Sequence, residues 1–303
     1  MNKKSLLAIF SLLLFTVAPC SLSWAAEAPS YQQHKNIIYA EIHGIGLLLD
    51  VFTPTGPTNG IGIVDVASGA FHSDRGKIRD HKRAGMFDTF CGKGYTVFAI
   101  RPGSVTKFGA PEMIGNLNQG VSWVIKHAEK YKIDPKRLGL LGASAGGYLA
   151  CLDAVTSEAG SPADNFEAVG VFFPPTDFLD YGPVHIKVRT DPFLGKTVRA
   201  LLFRDGFDDL TDEEIEKRMI KYSPARRVTS KSPPFLFIHG DTDPLVPLQQ
   251  SETMVAALKD ANVPAELIVK PGGGHPWPTI AEEVQIMANW FDKTFGIEAG
   301  ASQ

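Results

Sequence analysis

The stretch Arg137-Leu138-Gly139-Leu140-Leu141-Gly142-Ala143-Ser144-Ala145-Gly146-Gly147-Tyr148-Leu149-Ala150-Cys151-Leu152 changes character half-way along. Its first part, to Leu141, is a short apolar run that reads as a buried strand. Its last part, from Tyr148 and on to Val155, reads as a helix packed on a sheet. A serine wedged between strand and helix, with small residues on both sides, is the sequence form of a nucleophile elbow. In so tight a turn, side chains at positions 142 and 146 collide with neighbouring backbone, and Ser144 is forced into a strained conformation that exposes its Oγ. The helix start adds backbone N–H donors and a partial positive charge beside that oxygen. In a chain with 29 glycines such a string also arises by chance. Its weight therefore rests on finding an acid and a histidine downstream.

Both are present, in an informative order. Phe235-Leu236-Phe237-Ile238-His239 reads as a strand, and Gly240-Asp241-Thr242-Asp243-Pro244 lies just past its end. A carboxylate placed there is fixed by backbone N–H donors and stays ionised, able to orient a histidine. Asp243 is the expected acid, with Asp241 a turn former and Asp177, after the preceding strand, the rival. Glu266-Leu267-Ile268-Val269 is the last strand, and Pro271-Gly272-Gly273-Gly274-His275 after it is a flexible loop that carries His275 across to Ser144. Asp243 lies 99 residues after Ser144 and His275 lies 32 after Asp243. The order Ser, Asp, His separates this arrangement from chymotrypsin-like and subtilisin-like orders. His239 is read as fixing the acid loop, His43 as a hairpin residue and His127 as part of a polar helix end.

The remaining pattern alternates strands with helices. Ile37–Ile42 and Gly46–Phe52 form a hairpin around His43-Gly44, and Gly60–Val66 and Tyr95–Ile100 are buried strands. A helix is expected over roughly Asp80 to Cys91. Another opens at Pro111-Glu112, with Ile114, Leu117, Val121, Val124, Ile125 and Ala128 at helical spacing. Ala168–Phe173 is a strand, Ser251–Ala261 a helix, and Ile280–Phe295 a closing helix with Ile286, Trp290 and Phe291 facing inward. Such alternation implies a mostly parallel sheet covered on both faces, with its site beyond the carboxyl ends of the strands. Between Asp177 and Pro234 lies a long insertion, in which Thr211 and Glu214 form a capping box ahead of an acidic first turn. Its length and place suggest a small helical cap, with Phe193, Leu194, Leu201, Leu202 and Phe203 offered as apolar lining.

These blocks together resemble the α/β-hydrolase superfamily, in the branch holding bacterial acyl-esterases, hormone-sensitive-lipase-like enzymes and prolyl-oligopeptidase-type catalytic domains. The resemblance is carried by Tyr131–Arg137 leading into Gly142–Gly147, by Ser223-Pro224-Ala225, by Pro233–Pro247 and by Pro271–His275. It implies a mostly parallel eight-stranded sheet with helices on both faces and a small helical cap insertion. It also implies a single α/β-hydrolase domain over residues 27–303, with the cap at 177–234. Relatives often carry His-Gly-Gly-Gly-aromatic after the third strand, where main-chain donors form an oxyanion hole. Here Ala67-Ser68-Gly69-Ala70-Phe71 stands there, so the N–H groups of Gly69, Ala70 and Ala145 are the expected donors. The resemblance implies an esterase in which Ser144, Asp243 and His275 act, with Phe71, Phe193 and Phe203 lining the substrate pocket. A small-molecule or carbohydrate ester is the expected substrate. A peptidase of prolyl-oligopeptidase type and a catalytically inactive binding protein are the alternatives.

Composition narrows the field further. Thirty Lys and Arg against 33 Asp and Glu leave a formal charge of −3, with no nucleic-acid footprint. The eight histidines show no H-x-H or H-E-x-x-H spacing, so neither a metal nor a cofactor is expected. Met1-Asn2-Lys3-Lys4, the apolar Ser5–Ala18 and the small-residue options at Ser23-Trp24-Ala25 and Ala26-Glu27-Ala28 read as a signal peptide over residues 1–26. Export to the periplasm or beyond the cell is the consequence, with no stable membrane span after its removal. Val17-Ala18-Pro19-Cys20 resembles a lipoprotein cleavage box, with Pro19 where a small residue is expected. Of the cysteines kept after cleavage, Cys91 and Cys151 are expected to remain unpaired, on helices at opposite faces of the sheet.

Overall fold

The computed structural model of the chain describes residues 30–184 and 186–297. The expected signal peptide lies outside the described residues. Eight strands form one sheet in the order β1-β2-β4-β3-β5-β6-β7-β8. Strands β1 (Tyr31–Ile42) and β2 (Ile45–Pro54) are the antiparallel hairpin, closed by His43 and Gly44 at φ 51° and 72°. Both central residues at positive φ match the twist that a two-residue hairpin loop requires. Antiparallel β2 joins β4 (Thr96–Ile100), and the rest is parallel: β3 (Gly62–Val66), β5 (Leu138–Ala143), β6 (Phe166–Phe172), β7 (Phe235–Gly240) and β8 (Ala265–Lys270).

Every residue of β3, β4 and β7 is buried, as their unbroken apolar runs demand of strands covered on both sides. One face packs on α3 (Ala110–Lys126), α4 (Ala145–Thr156) and α7 (Gln249–Asp260). The other packs on α1 (Arg75–Arg83), α2 (Met86–Gly92) and α8 (Ile280–Thr294). Cys151 belongs to the first layer and Cys91 to the second, and both are free and buried. The sheet between them keeps the two thiols beyond disulfide reach.

Two local expectations are corrected. The helix expected from Asp80 to Cys91 is two helices, because Gly85 takes the left-handed conformation (φ 75°) and ends α1 before α2 begins. On α8 the inward face is Val284, Met287, Ala288 and Phe291, whereas Ile286 is exposed. The insertion between β6 and β7 carries α5 (Leu194–Leu202) and α6 (Asp212–Lys221). Thr211 Oγ1 accepts from the Glu214 N–H, and Glu214 accepts from the Thr211 N–H in return, so the capping box is complete. No helix among the described residues is long and apolar enough to cross a membrane.

Candidate active site

The turn from β5 into α4 is as tight as its glycines suggest. Ser144 sits at φ 52°, ψ −121°, a conformation costing on the order of 1–3 kcal/mol for a side-chain-bearing residue. A Cβ on Gly142 would meet the Gly146 carbonyl oxygen at 2.5 Å, and one on Gly146 would meet the Val66 oxygen at 2.2 Å. Both obstacles are backbone, which cannot swing aside. Gly146→Ala is therefore expected to destabilise the protein by about 3 kcal/mol, the upper end for overpacking. Denaturant unfolding of the variant beside the parent checks this.

The structure brings Ser144, His275 and Asp243 together from the ends of three different strands. His275 Nε2 lies 2.8 Å from Ser144 Oγ, and its Nδ1 lies 2.6 Å from Asp243 Oδ2. An ionised carboxylate only accepts, so Nδ1 carries the proton and Nε2 is left as the acceptor for the serine hydroxyl. Burial opposes ionisation of Asp243. Bonds from His239 and His275, with the Val246 N–H, override it and hold this carboxyl well below the usual range. Its Oδ1 accepts from the N–H groups of Leu245 and Val246 at 2.8 and 2.9 Å.

Asp243 has a second imidazole neighbour. His239 is wholly buried at the end of β7, with Nε2 3.4 Å from Asp243 Oδ2 and 2.9 Å from the Val246 carbonyl. That carbonyl requires Nε2 to bear the proton, and Ser251 Oγ donates to Nδ1 at 2.7 Å. His239 thus braces the acid loop, as its strand-end position suggested. Asp177 stands apart from this cluster. Both its oxygens accept from Arg226 Nε (2.9 and 2.8 Å), and Oδ1 also takes the Leu179 N–H, tying down the start of the insertion. Asp241 forms the turn, accepting from the Gly272 N–H at 2.7 Å.

The loop carrying His275 is pinned rather than flexible. Thr242 donates to the Gly273 carbonyl from both its N–H and its hydroxyl, at 3.0 and 2.9 Å. Phe173, itself at φ 39°, lays its ring 4.3 Å from the His275 ring and packs edge-on against the buried Trp277. Sequence reading passed over Phe173. Its signal was its place immediately after β6, beside the Pro174-Pro175 stop.

Of the three expected oxyanion donors, one is corrected. Gly69 and His72 exchange backbone hydrogen bonds (3.0 and 2.9 Å), which closes a turn and occupies the Gly69 N–H. The N–H groups of Ala70 and Ala145 have no acceptor among the described residues. Ala70 and Phe71 both hold positive φ, 48° and 60°, a conformation that side-chain-bearing residues rarely adopt. A cavity of about 520 Å³ opens over these groups. It is lined by Phe71 and, from the insertion, by Phe178, Tyr181, Phe193 and Leu194. Phe193 is exposed at its mouth. Phe203 is not part of the lining: it is buried within the insertion, against Phe207 and under the Arg218 guanidinium. Leu201 and Leu202 are likewise buried away from it. No cluster of metal-ligating side chains occurs among the described residues.

The BD-FAE family profile matches residues 49–258, which run from β2 through the elbow to α7. The chain belongs to the BD-FAE family. Among curated relatives it is 29% identical over 159 residues to Esterase LipQ of Mycobacterium tuberculosis, a match covering 50% of this chain and 35% of LipQ. Esterase LipC of the same organism is 26% identical over 183 residues, covering 54% of this chain and 41% of LipC. The match thus spans well under half the length of either relative. A solved structure described as a truncated form of a carbohydrate esterase from gut microbiota superposes with a TM-score of 0.72 at 22% identity, covering 88% of this chain and 98% of that one. The fold is that of the α/β-hydrolases.

Proposed function

We propose that the protein is an exported serine esterase that hydrolyses carboxylic esters through an acyl-enzyme. The observation that carries this reading is the continuous chain from Ser144 Oγ to His275 Nε2 and from His275 Nδ1 to Asp243 Oδ2, at 2.8 and 2.6 Å. In the proposed reaction, His275 takes the hydroxyl proton as Ser144 Oγ attacks the ester carbonyl. The carbonyl oxygen, now an anion, is stabilised by the N–H groups of Ala70 and Ala145. Collapse expels the alcohol, which receives that proton from His275, and leaves an acyl ester on Ser144. Water, deprotonated by His275, attacks the acyl ester; collapse releases the acid, and Ser144 Oγ takes the proton back from His275. Asp243 holds the imidazole in the required tautomer and stabilises its charged form throughout.

Esterases among the relatives support ester substrates, and the carbohydrate esterase among the structural neighbours supports acylated carbohydrates beside small acyl esters. The leader over residues 1–26 supports export. Turnover of a p-nitrophenyl ester series beside an aminoacyl-proline amide series tests the reading. Ester cleavage alone is expected, faster cleavage of the amides would make the protein a peptidase, and cleavage of neither would make it a binding protein.

The insertion is proposed to select the substrate by covering the cavity. Phe193→Ala is expected to shift the relative rates across acyl chain lengths by severalfold, since it removes an aromatic wall at the mouth. Phe203→Ala is expected instead to cost about 3 kcal/mol or more of stability, because it empties a buried site. An unchanged chain-length profile for Phe193→Ala would argue against the cap.

A further inference from the structure

The cavity over Ser144 has a polar corner that the proposed reaction does not use. Helix α1 supplies Lys77, Asp80 and His81 to its wall, one turn apart on one face. His81 is only 8% exposed. Its Nδ1 lies 2.8 Å from Oδ2 of Asp65, a wholly buried carboxylate in β3 whose other oxygen has no partner. That contact leaves Nε2 without a partner among the described residues, on a ring that lines the cavity. Lys77 reaches across the turn that carries Ala70, so that a Cβ added to Gly69 would meet Lys77 Nζ at 3.2 Å. In an otherwise largely apolar cavity these are convergent polar groups, the usual mark of a site that fixes ligand orientation: the Lys77 ammonium donates, and His81 Nε2 donates once the ring takes a second proton.

Helix α1 as a whole is basic, although its Arg75 is paired with Asp50. Between Arg75 and Arg83 there are five Lys or Arg and one Asp, a net +4 on one helix of a chain whose total is −3. Asp80, the acid at the corner, lies between Lys77 Nζ at 3.5 Å and Arg83 Nη1 at 3.7 Å, which offsets its charge. Burial opposes protonation of His81 and Lys77 repels it, yet Asp65 and Asp80 outweigh both and raise its pKa above the ordinary value.

Resting on the esterase reading, we propose that Lys77 and His81 form an anion subsite that binds a carboxylate carried by the ester substrate. Asp65 is the positioning residue behind it: it fixes the His81 tautomer so that Nε2 is available to the ligand once the ring is protonated.

Two matched pairs of esters test this and say which end of the substrate carries the charge. 4-Nitrophenyl hemisuccinate against 4-nitrophenyl butyrate places the carboxylate on the acyl side. 4-Acetoxybenzoate against methyl 4-acetoxybenzoate places it on the alcohol side. In at least one pair the anionic ester is expected to show a KM about tenfold below that of its neutral partner, the scale of one charge-assisted contact. Lys77→Gln and His81→Gln should each carry that KM ratio toward one. Lys77 is partly exposed, so its variant keeps the test open should His81→Gln, beside a buried carboxylate, fail to fold. No preference for the anion in either pair would overturn the subsite, as would variants that slow both members of a pair equally. Cleavage of none of the four esters would instead defeat the esterase reading and the subsite with it.

Discussion

Ser144→Ala is expected to lower kcat on an activated ester by about a millionfold, leaving only the residual rate that the oxyanion donors and substrate binding supply, while the fold is retained. In the proposed mechanism the nucleophile, its base and its acid act as one unit, so losing the attacking oxygen loses nearly everything their alignment supplies. His275→Ala should cost a similar factor, and the double variant should be little worse than either alone. The serine change opens no large hole. The serine oxygen faces the cavity, and among the described residues its one side-chain bond is to His275. Alanine inherits the unfavourable φ of 52°, so the strain of the elbow persists in the variant and thermal unfolding should move little. Near-parental turnover by Ser144→Ala in a preparation freed of other esterases would remove Ser144 from the mechanism.

Much of this arrangement was legible in the residues because it stems from short-range requirements. Gly142 and Gly146 face backbone at 2.5 and 2.2 Å, contacts that tolerate no side chain, and this is why small residues flank the serine. The fully buried strands β3, β4 and β7 announce themselves as apolar runs too short for helices. The order of Ser144, Asp243 and His275 could be read because each comes directly after a strand, at the edge of the sheet where parallel strands all end.

The features that escaped depend on contacts between distant segments. Gly69 is suitably placed for an oxyanion donor, but its N–H is taken by His72 once the loop closes, a pairing that composition does not betray. Phe193 and Phe203 flank the same helix and look alike in sequence, yet one is exposed at the cavity mouth and the other is buried under Arg218. Which of them meets substrate depends on how the insertion docks, not on its own periodicity. The partnership of His81 with Asp65 arises in the same way. It joins a charged helix to a central strand, and the isolated aspartate in Gly62-Ile63-Val64-Asp65-Val66 was its one trace.

Asp243→Asn should cut kcat by about ten-thousandfold, whereas Asp177→Asn should leave it within a few-fold. The structure gives a specific reason for the first effect. Asp243 Oδ1 accepts two backbone N–H groups, from Leu245 and Val246, so an asparagine there will keep its carbonyl oxygen at that position. Its NH2 then replaces Oδ2, facing the N–H of His275 at 2.6 Å and that of His239 at 3.4 Å. Donor meets donor on both sides. His239 cannot escape, since the Val246 carbonyl and Ser251 hold its tautomer. His275 can, by moving its proton to Nε2, and that is the nitrogen that must accept from Ser144. The enzyme would be left assembled with its base protonated on the wrong side. Asp177→Asn meets none of this: it weakens an ion pair with Arg226 and should appear as lost stability with the rate largely intact. Measuring kcat and the unfolding midpoint for both variants separates the two roles, and the reverse ranking of rates would move the catalytic acid to the end of β6.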